Sequence, residues 1–257
     1  MTRRPKLLLL HGWTLDHRSM LKQARALEDY FKVINLDRPG YGSNDCKPDL
    51  PNEHSYWFDY IDRELNAEPV HLLGISQGAR VALRMAATQP SKIASLALHG
   101  AAVDGVKAPT QQQAIPLNNF IDLAKAGQLE RLKQEWLSHP MMREGLTGAQ
   151  LSEVSKIVAD YAAADLKTPA GHNFEFSSDL ITSIKKYEGP ALITTGSLEA
   201  SERQFHALWL RENLRNASFH SLDDAGHLAN FSHPDTYNAI LTKFYTHTGI
   251  ITPHPDR

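Results

Sequence analysis

The chain has 257 residues, enough for one α/β domain with a full core, so length alone forces no division. Hydrophobic residues at 42% and charged residues at 22% give a globular balance, and a formal net charge of -2 with no basic stripe argues against nucleic acid or an anionic membrane surface as partner. The single cysteine, Cys46, excludes an intramolecular disulfide and a cysteine-based metal site and fits a cytoplasmic location.

Arg3, Arg4 and Lys6 ahead of the apolar run 7–10 superficially copy a secretory signal. The run is too short for one, and His11-Gly12-Trp13 is not a small-residue cleavage site, so a buried strand is expected. Residues 15–30 carry helical spacing and 33–36 read as a second strand. Residues 53–65 read as a helix with Tyr56, Trp57, Tyr60 and Ile61 near one face. A strand at 70–73, a helix at 79–87 and a strand at 93–98 continue the alternation. This rhythm implies an α/β fold: a mostly parallel sheet with helices on both faces, whose strands are near-continuously apolar because both sides are covered.

From about Asp104 to Lys186 the strand rhythm stops. Helical stretches at 120–126, 129–137 and 151–164 are separated by Pro109, Pro116, Pro140, Gly145, Gly148 and Pro169. Strand rhythm then resumes, with strands at 191–195 and 217–222 and helices at 202–211 and 234–245. The expected organisation is a core of residues 1–104 and 187–257 with a helical lid, 105–186, inserted in it; a plain run of connecting helices is the alternative. The tail from Thr248, with Pro253 and Pro255, is expected to fray. No segment approaches the ~20 apolar residues of a membrane span.

Gly74-Ile75-Ser76-Gln77-Gly78 joins the strand at 70–73 to the helix at 79–87. This is G-x-S-x-G in a strand-turn-helix setting. A nucleophile on so sharp a turn has strained backbone angles, and flanking glycines let neighbouring backbone come close. The helix N-terminus behind it favours developing negative charge. A glycine-rich turn with Ser76 as an ordinary N-cap is the competing reading. If Ser76 is a nucleophile, the tetrahedral oxygen needs two N–H donors: one from Gln77, which follows the serine, and one from a loop after an earlier strand.

His11-Gly12-Trp13 after the first strand, Asp37-Arg38-Pro39-Gly40-Tyr41-Gly42-Ser43 after the second and the Gly74–Gly78 turn after the third together resemble the α/β-hydrolase family. The resemblance implies an α/β-hydrolase fold with an inserted lid and makes the Trp13 N–H the second oxyanion donor; His11 is read as a packing and hydrogen-bonding residue, and Asp37 to Ser43 as a structural turn with a role near the pocket rim. It also implies a catalytic histidine after the last strand, where Asp223-Asp224-Ala225-Gly226-His227 stands, and an acid between nucleophile and histidine in chain order. The family's usual Gly-x-x-Asp is here Gly196-Ser197-Leu198-Glu199, so Glu199 occupies the acid's place; Asp104 is the alternative and Asp224 a remote third. Either carboxylate type can hold the histidine tautomer and stabilise the imidazolium. His99, His172 and His233 are expected to pack or face solvent.

A serine at that place argues against the family's aspartate-nucleophile chemistries. The expected function is hydrolysis of a small-molecule carboxylic ester or lactone through an acyl-enzyme on Ser76, with no metal or organic cofactor implied. C–C bond hydrolysis or an SHCHC-synthase-like lyase reaction on the same triad is the alternative, and a non-catalytic small-molecule receptor is another. Trp136-Leu137-Ser138-His139-Pro140-Met141-Met142 resembles a stretch of carboxylesterase-like and SHCHC-synthase-like members, or serves only to pack the lid. Arg131, Lys133 or Arg143 would face an acidic substrate if the lid exposes them, a solvated helix face being the default. Whether the chain is a monomer or a homodimer is open.

Overall fold

The computed structural model describes residues 4–110, 113–175 and 179–252. Arg3, Pro253 and Pro255 lie outside these. Six strands form one sheet: β1 (Lys6–Leu10), β2 (Lys32–Asn35), β3 (Val70–Ile75), β4 (Ile93–His99), β5 (Ala191–Gly196) and β6 (Ala217–Leu222), in spatial order β2-β1-β3-β4-β5-β6. All five pairings are parallel. The sheet grows one way from β1 to β2 and the other way from β3 onward, so the chain reverses direction across the sheet between β1 and β3. Outside the carboxyl ends of such neighbours a crevice opens. The register there pairs Leu10 with Gly74.

Successive side chains of a strand point to opposite faces. Leu8 and Leu10 pack with α2 (Glu53–Glu64), α3 (Gln77–Thr88) and α9 (Ser201–Asn213). Leu7 and Leu9 pack with α1 (Leu21–Leu27) and α11 (Pro234–His247) on the other side. This is why four consecutive leucines are all fully buried in one strand. Trp57 and Ile61 of α2 are fully buried, with Tyr56 and Tyr60 partly covered on the same core, as the helical spacing predicts.

Between β4 and β5 lie α4 (Leu117–Lys125), α5 (Leu129–Ser138), α6 (Pro140–Arg143), α7 (Gly148–Ala159) and α8 (Leu180–Ile184). α4 to α7 gather a separate apolar cluster around Phe120, Leu132, Trp136 and Val158, joined by Leu15 and Tyr41 from the sheet side. α10 (Ala229–Ser232) is a single turn before α11.

Two expected helices are shorter than their spacing suggests. The stretch 15–30 begins as a 3-10 turn, His17–Met20, because the Asp16 carboxylate accepts the Arg18 N–H at 2.9 Å, and α1 ends at Leu27. The stretch 151–164 becomes α7, which starts on a Thr147–Gln150 capping box and stops at Ala159. Ala163 then takes φ +53, and the turn carries Asp165 inward. α6 and α8 are too short for helical periodicity to reveal.

Candidate active site

Ser76 sits between β3 and α3 with φ +56 and ψ -118, an unfavourable region for a residue with a Cβ. Its N–H donates to the His99 carbonyl at the end of β4, 2.8 Å away, which ties the turn to the neighbouring strand. The two glycines of the motif are required by close approach. A Cβ on Gly74 would stand 2.6 Å from the Ala79 Cα, and one on Gly78 would overlap the Leu10 and His11 carbonyls. α3 can therefore begin directly against β1, and Gln77 is its first residue, where N–H groups have no intrahelical acceptor.

His227 follows Gly226 in the loop after β6 and is buried. Its Nδ1 lies 2.6 Å from Glu199 Oε2, and the Glu199 side chain is fully shielded from solvent. Glu199 Oε1 accepts the Ala200 N–H at 2.8 Å. Burial pushes the Glu199 carboxyl up, but the charge and hydrogen bond of His227, with His99 and the Ala200 N–H, outweigh it and hold the carboxyl below its usual range. With Nδ1 committed to Glu199, Nε2 is the imidazole nitrogen left for proton transfer. Gly100, at φ +58, floors this pair: a Cβ there would lie 2.7 Å from His227 Cε1 and 3.1 Å from Glu199 Oε2.

A cavity of about 240 Å³ opens at the carboxyl ends of β1 and β3. Gly12, Trp13, Ser76, Gln77 and His227 line one side, and the apolar side chains of Leu117, Trp136, Met141, Met142 and Leu228 line much of the rest. The structure thus brings Trp13, Ser76, Gln77 and His227 to one cavity, with Glu199 behind the histidine. Asp104 is elsewhere engaged: its Oδ2 accepts from Arg84 Nε at 2.8 Å and its Oδ1 lies 3.4 Å from Arg80 Nε. Asp224 is an exposed turn residue at φ +54.

The remaining histidines of interest have protein partners. His11 Nδ1–H donates to the Gly12 carbonyl at 2.9 Å and its Nε2 accepts the Arg38 N–H at 3.0 Å. Burial, aided by the Arg38 charge, lowers its pKa to about 3, so it is a neutral brace for the loop that carries Trp13. His99 is fully buried at the end of β4 with Nδ1 2.9 Å from Thr194 Oγ1. His172 Nδ1 is 3.1 Å from the Asp165 carbonyl, and His233 is half-buried ahead of α11. Asp37 accepts from the His17 and Ser43 backbone at 2.8 and 2.9 Å, a structural turn as expected.

Two features of the site carry no motif. Arg80, one helical turn after Ser76 on α3, lines the cavity. Its Nε and Nη1 are buried without a hydrogen-bond partner among the described residues, and its guanidinium stands 4.4 Å from the Phe174 ring centroid. Burial, with Arg203 and Arg84 nearby and Asp104 opposing, brings its pKa down to about 10. Arg203 lines the same cavity. By contrast, Arg131 pairs with Glu135 on the surface, Lys133 donates to the Ala159 carbonyl and Arg143 is exposed; none of the three lines the cavity. The second feature is a buried carboxylate, Asp165, which accepts from Trp13 Nε1 at 2.7 Å, Tyr161 Oη at 2.6 Å and Tyr41 Oη at 3.1 Å.

Among the described residues, Asp16, His17 and Asp37 hold three possible metal-ligand atoms within 4.8 Å. Both carboxylates already accept hydrogen bonds, Asp16 from Arg18 and Asp37 from His17 and Ser43, which accounts for the cluster without an ion. No helix among the described residues is long and apolar enough to cross a membrane.

The sequence model of the Alpha/beta hydrolase family matches residues 7–240. The chain is 22% identical over 248 residues to a pimeloyl-[acyl-carrier protein] methyl ester esterase of Nitrosospira multiformis, covering 93% of this chain and 94% of that one. It is 23% identical over 254 residues to a 2-hydroxy-6-oxononadienedioate/2-hydroxy-6-oxononatrienedioate hydrolase of Pseudomonas putida, covering 92% and 84%. Among solved structures, MenH from S. aureus superposes with a TM-score of 0.81 at 19% identity over 97% of this chain and 96% of that one.

Proposed function

The chain belongs to the alpha/beta hydrolase family, and from that premise we propose that it is a serine hydrolase of small carboxylic esters whose acyl or alcohol part bears a carboxylate. The observation that carries the reading is the meeting, in one cavity, of a strained Ser76 and a His227 whose far nitrogen is held by Glu199. In this reading Ser76 Oγ attacks the ester carbonyl and His227 Nε2 takes its proton. The carbonyl electrons move to the oxygen, which the Trp13 and Gln77 N–H groups receive. The C–O bond breaks as His227 returns the proton to the leaving alkoxide, giving an acyl-Ser76. Water, deprotonated by His227, then attacks the acyl carbon, and Ser76 leaves with that proton, releasing the acid. Glu199 holds the imidazole tautomer and balances the imidazolium.

Arg80 supports the substrate class. Its charge is partly met by Asp104, 3.4 Å from Nε, but Nη1 is buried without a hydrogen-bond partner among the described residues, and a carboxylate entering the cavity satisfies it with a charge-assisted bond. The dienedioate named for the P. putida relative is a dicarboxylate, so C–C bond cleavage of such a substrate is the second reading, favoured by the same arginine. Lactones and SHCHC-synthase-like elimination use the same constellation.

The test is a fluorophosphonate probe followed by a substrate panel. Covalent labelling of the wild type and none of Ser76→Ala is expected. An unlabelled wild type that hydrolyses nothing would leave the receptor reading in its place. Within the panel, faster turnover of monomethyl esters of dicarboxylic acids than of neutral esters of equal length is expected; a preference for a dienoic diketo acid would turn the proposal to its second form.

A further inference from the structure

Both proposed oxyanion donors belong to residues whose side chains lead to one place. The Trp13 indole N–H ends on Asp165 Oδ2. The Gln77 side-chain oxygen is 2.9 Å from Tyr41 Oη, and that hydroxyl is in turn 3.1 Å from the same Asp165 oxygen. Asp165 lies after α7, in the helical insert, 152 positions from Trp13 and 124 from Tyr41. We propose that Asp165 is a positioning residue that sets the Trp13 and Gln77 N–H groups for the tetrahedral oxygen, so that the insert is a working part of the oxyanion site and not only its cover. The inference rests on the serine-hydrolase reading.

The chemistry of the cluster favours a positioning role over a stabilising one. Asp165 is 1% exposed, yet among the described residues no cation forms a salt bridge with its side chain, whose hydrogen-bond partners are one indole and two phenols. An apolar side chain of similar volume, with apolar partners, generally costs a fold less than a buried carboxylate. What the carboxylate adds is direction: three hydrogen bonds of 2.6 to 3.1 Å leave little freedom to the Trp13 ring or to Tyr41. One hydroxyl proton on Tyr41 cannot serve two acceptors. Either the Gln77 amide turns its NH₂ to Tyr41, or Asp165 is protonated and donates to it. The chain Gln77–Tyr41–Asp165 is continuous in both cases. The insert reinforces the grip elsewhere on the same loop: Trp136 Nε1 donates to Thr14 Oγ1 at 2.8 Å, and Thr14 holds φ +61.

The decisive variant is Asp165→Leu, which removes the acceptors of all three hydrogen bonds and keeps apolar bulk. For a methyl ester, kcat is expected to fall about ten- to hundredfold, less than the ~10²–10³ typical of deleting an oxyanion donor, with KM within about twofold. Affinity for a trifluoromethyl ketone, whose adduct with Ser76 carries the oxyanion, is expected to fall by the same factor, while that of the planar amide isostere stays put. Asp165→Asn, which keeps an oxygen for Trp13 and Tyr41 and turns its amide to Tyr161, is expected to recover most of the loss. Wild-type kcat and trifluoromethyl ketone affinity in Asp165→Leu would overturn the proposal, as would a loss equal to the missing fraction of titratable Ser76. If Asp165→Leu does not fold, the pair Trp13→Phe with Tyr41→Phe cuts both links from the other end, and unchanged ketone affinity there overturns it equally. Fluorophosphonate labelling of the wild type separates the two levels: an unlabelled wild type removes the serine-hydrolase reading and this one with it, whereas a labelled wild type with an indifferent Asp165 removes only this one.

Discussion

Glu199 and Asp165 are both buried carboxylates beside one cavity, and they are shifted in opposite directions. Glu199, after β5, meets a side chain that can become a cation, and His227, together with His99 and the Ala200 N–H, more than offsets the burial that pushes the carboxyl up. Asp165, between α7 and α8, accepts from one indole and two phenols; burial raises its pKa, and the bonds from Tyr161, Trp13 and Tyr41 do not bring it back. The first carboxylate is arranged to balance a charge that comes and goes. The second is arranged to hold geometry. Equal burial therefore says little about role until the partner's charge is known.

Glu199→Gln keeps the shape but removes the charge and the tautomer preference, and kcat is expected to fall on the order of 10⁴-fold with the fold intact, read by steady-state hydrolysis and circular dichroism. A Gln variant of near wild-type rate would show that Asp104, despite its arginines, or another group serves as the acid. Gly100→Ala attacks the same pair through space alone. The added methyl must displace His227 and the residue must hold φ +58, so a loss of roughly a hundredfold in kcat is expected, of the size an ångström-scale misplacement produces.

Arg80→Met sharpens the charge argument from the substrate's side. KM for a carboxylate-bearing ester is expected to rise about tenfold to a hundredfold, the worth of a hydrogen bond to a charged group, while KM for a neutral ester changes little. Equal effects on both would mean that Arg80 shapes the cavity without reading charge.

The smallest effect is on stability. Between its folded and unfolded pKa values Glu199 binds more protons in the unfolded chain, so its contribution is present above the unfolded value and is lost as pH falls through the folded one. For Asp165 the folded chain binds more, so stability is lost as pH rises from the unfolded value of about 3.9 toward the folded one. The urea midpoint of Asp165→Asn relative to wild type is therefore expected to climb as pH increases over that window. A flat difference would mean that Asp165 titrates alike in both states.

Much of the frame is legible in the sequence because it is local. Strand, turn and helix follow one another around Gly74–Gly78 within twenty residues, and the four leucines of β1 announce a strand covered on both faces. The pairing of Glu199 with His227 is reached through the family resemblance and its chain order, since nothing in either residue's neighbourhood specifies the other. The Asp165 cluster has no such handle: residues 13, 41, 161 and 165 are each ordinary, and only a left-handed Ala163 and the end of α7 bring the last of them inward. Arg80 has a weak handle in the sequence, since it stands in the first turn of the helix that follows the Gly74–Gly78 motif. The basic residues of the insert draw attention instead, and they point elsewhere.

Leu10 and Gly74 are paired across adjacent parallel strands, and each of the proposed donors lies three residues beyond its own member of that pair. The two N–H groups thus hang from the same rung of the sheet. Neighbouring strands are held about 4.8 Å apart by their backbone hydrogen bonds, so the span between the donors is inherited from the ladder and not from any side chain. Side-chain substitution can tilt either donor but cannot move its root. A single residue inserted between Leu10 and Trp13, or between Gly74 and Gln77, would put the two out of step, and no repacking of the insert would restore them.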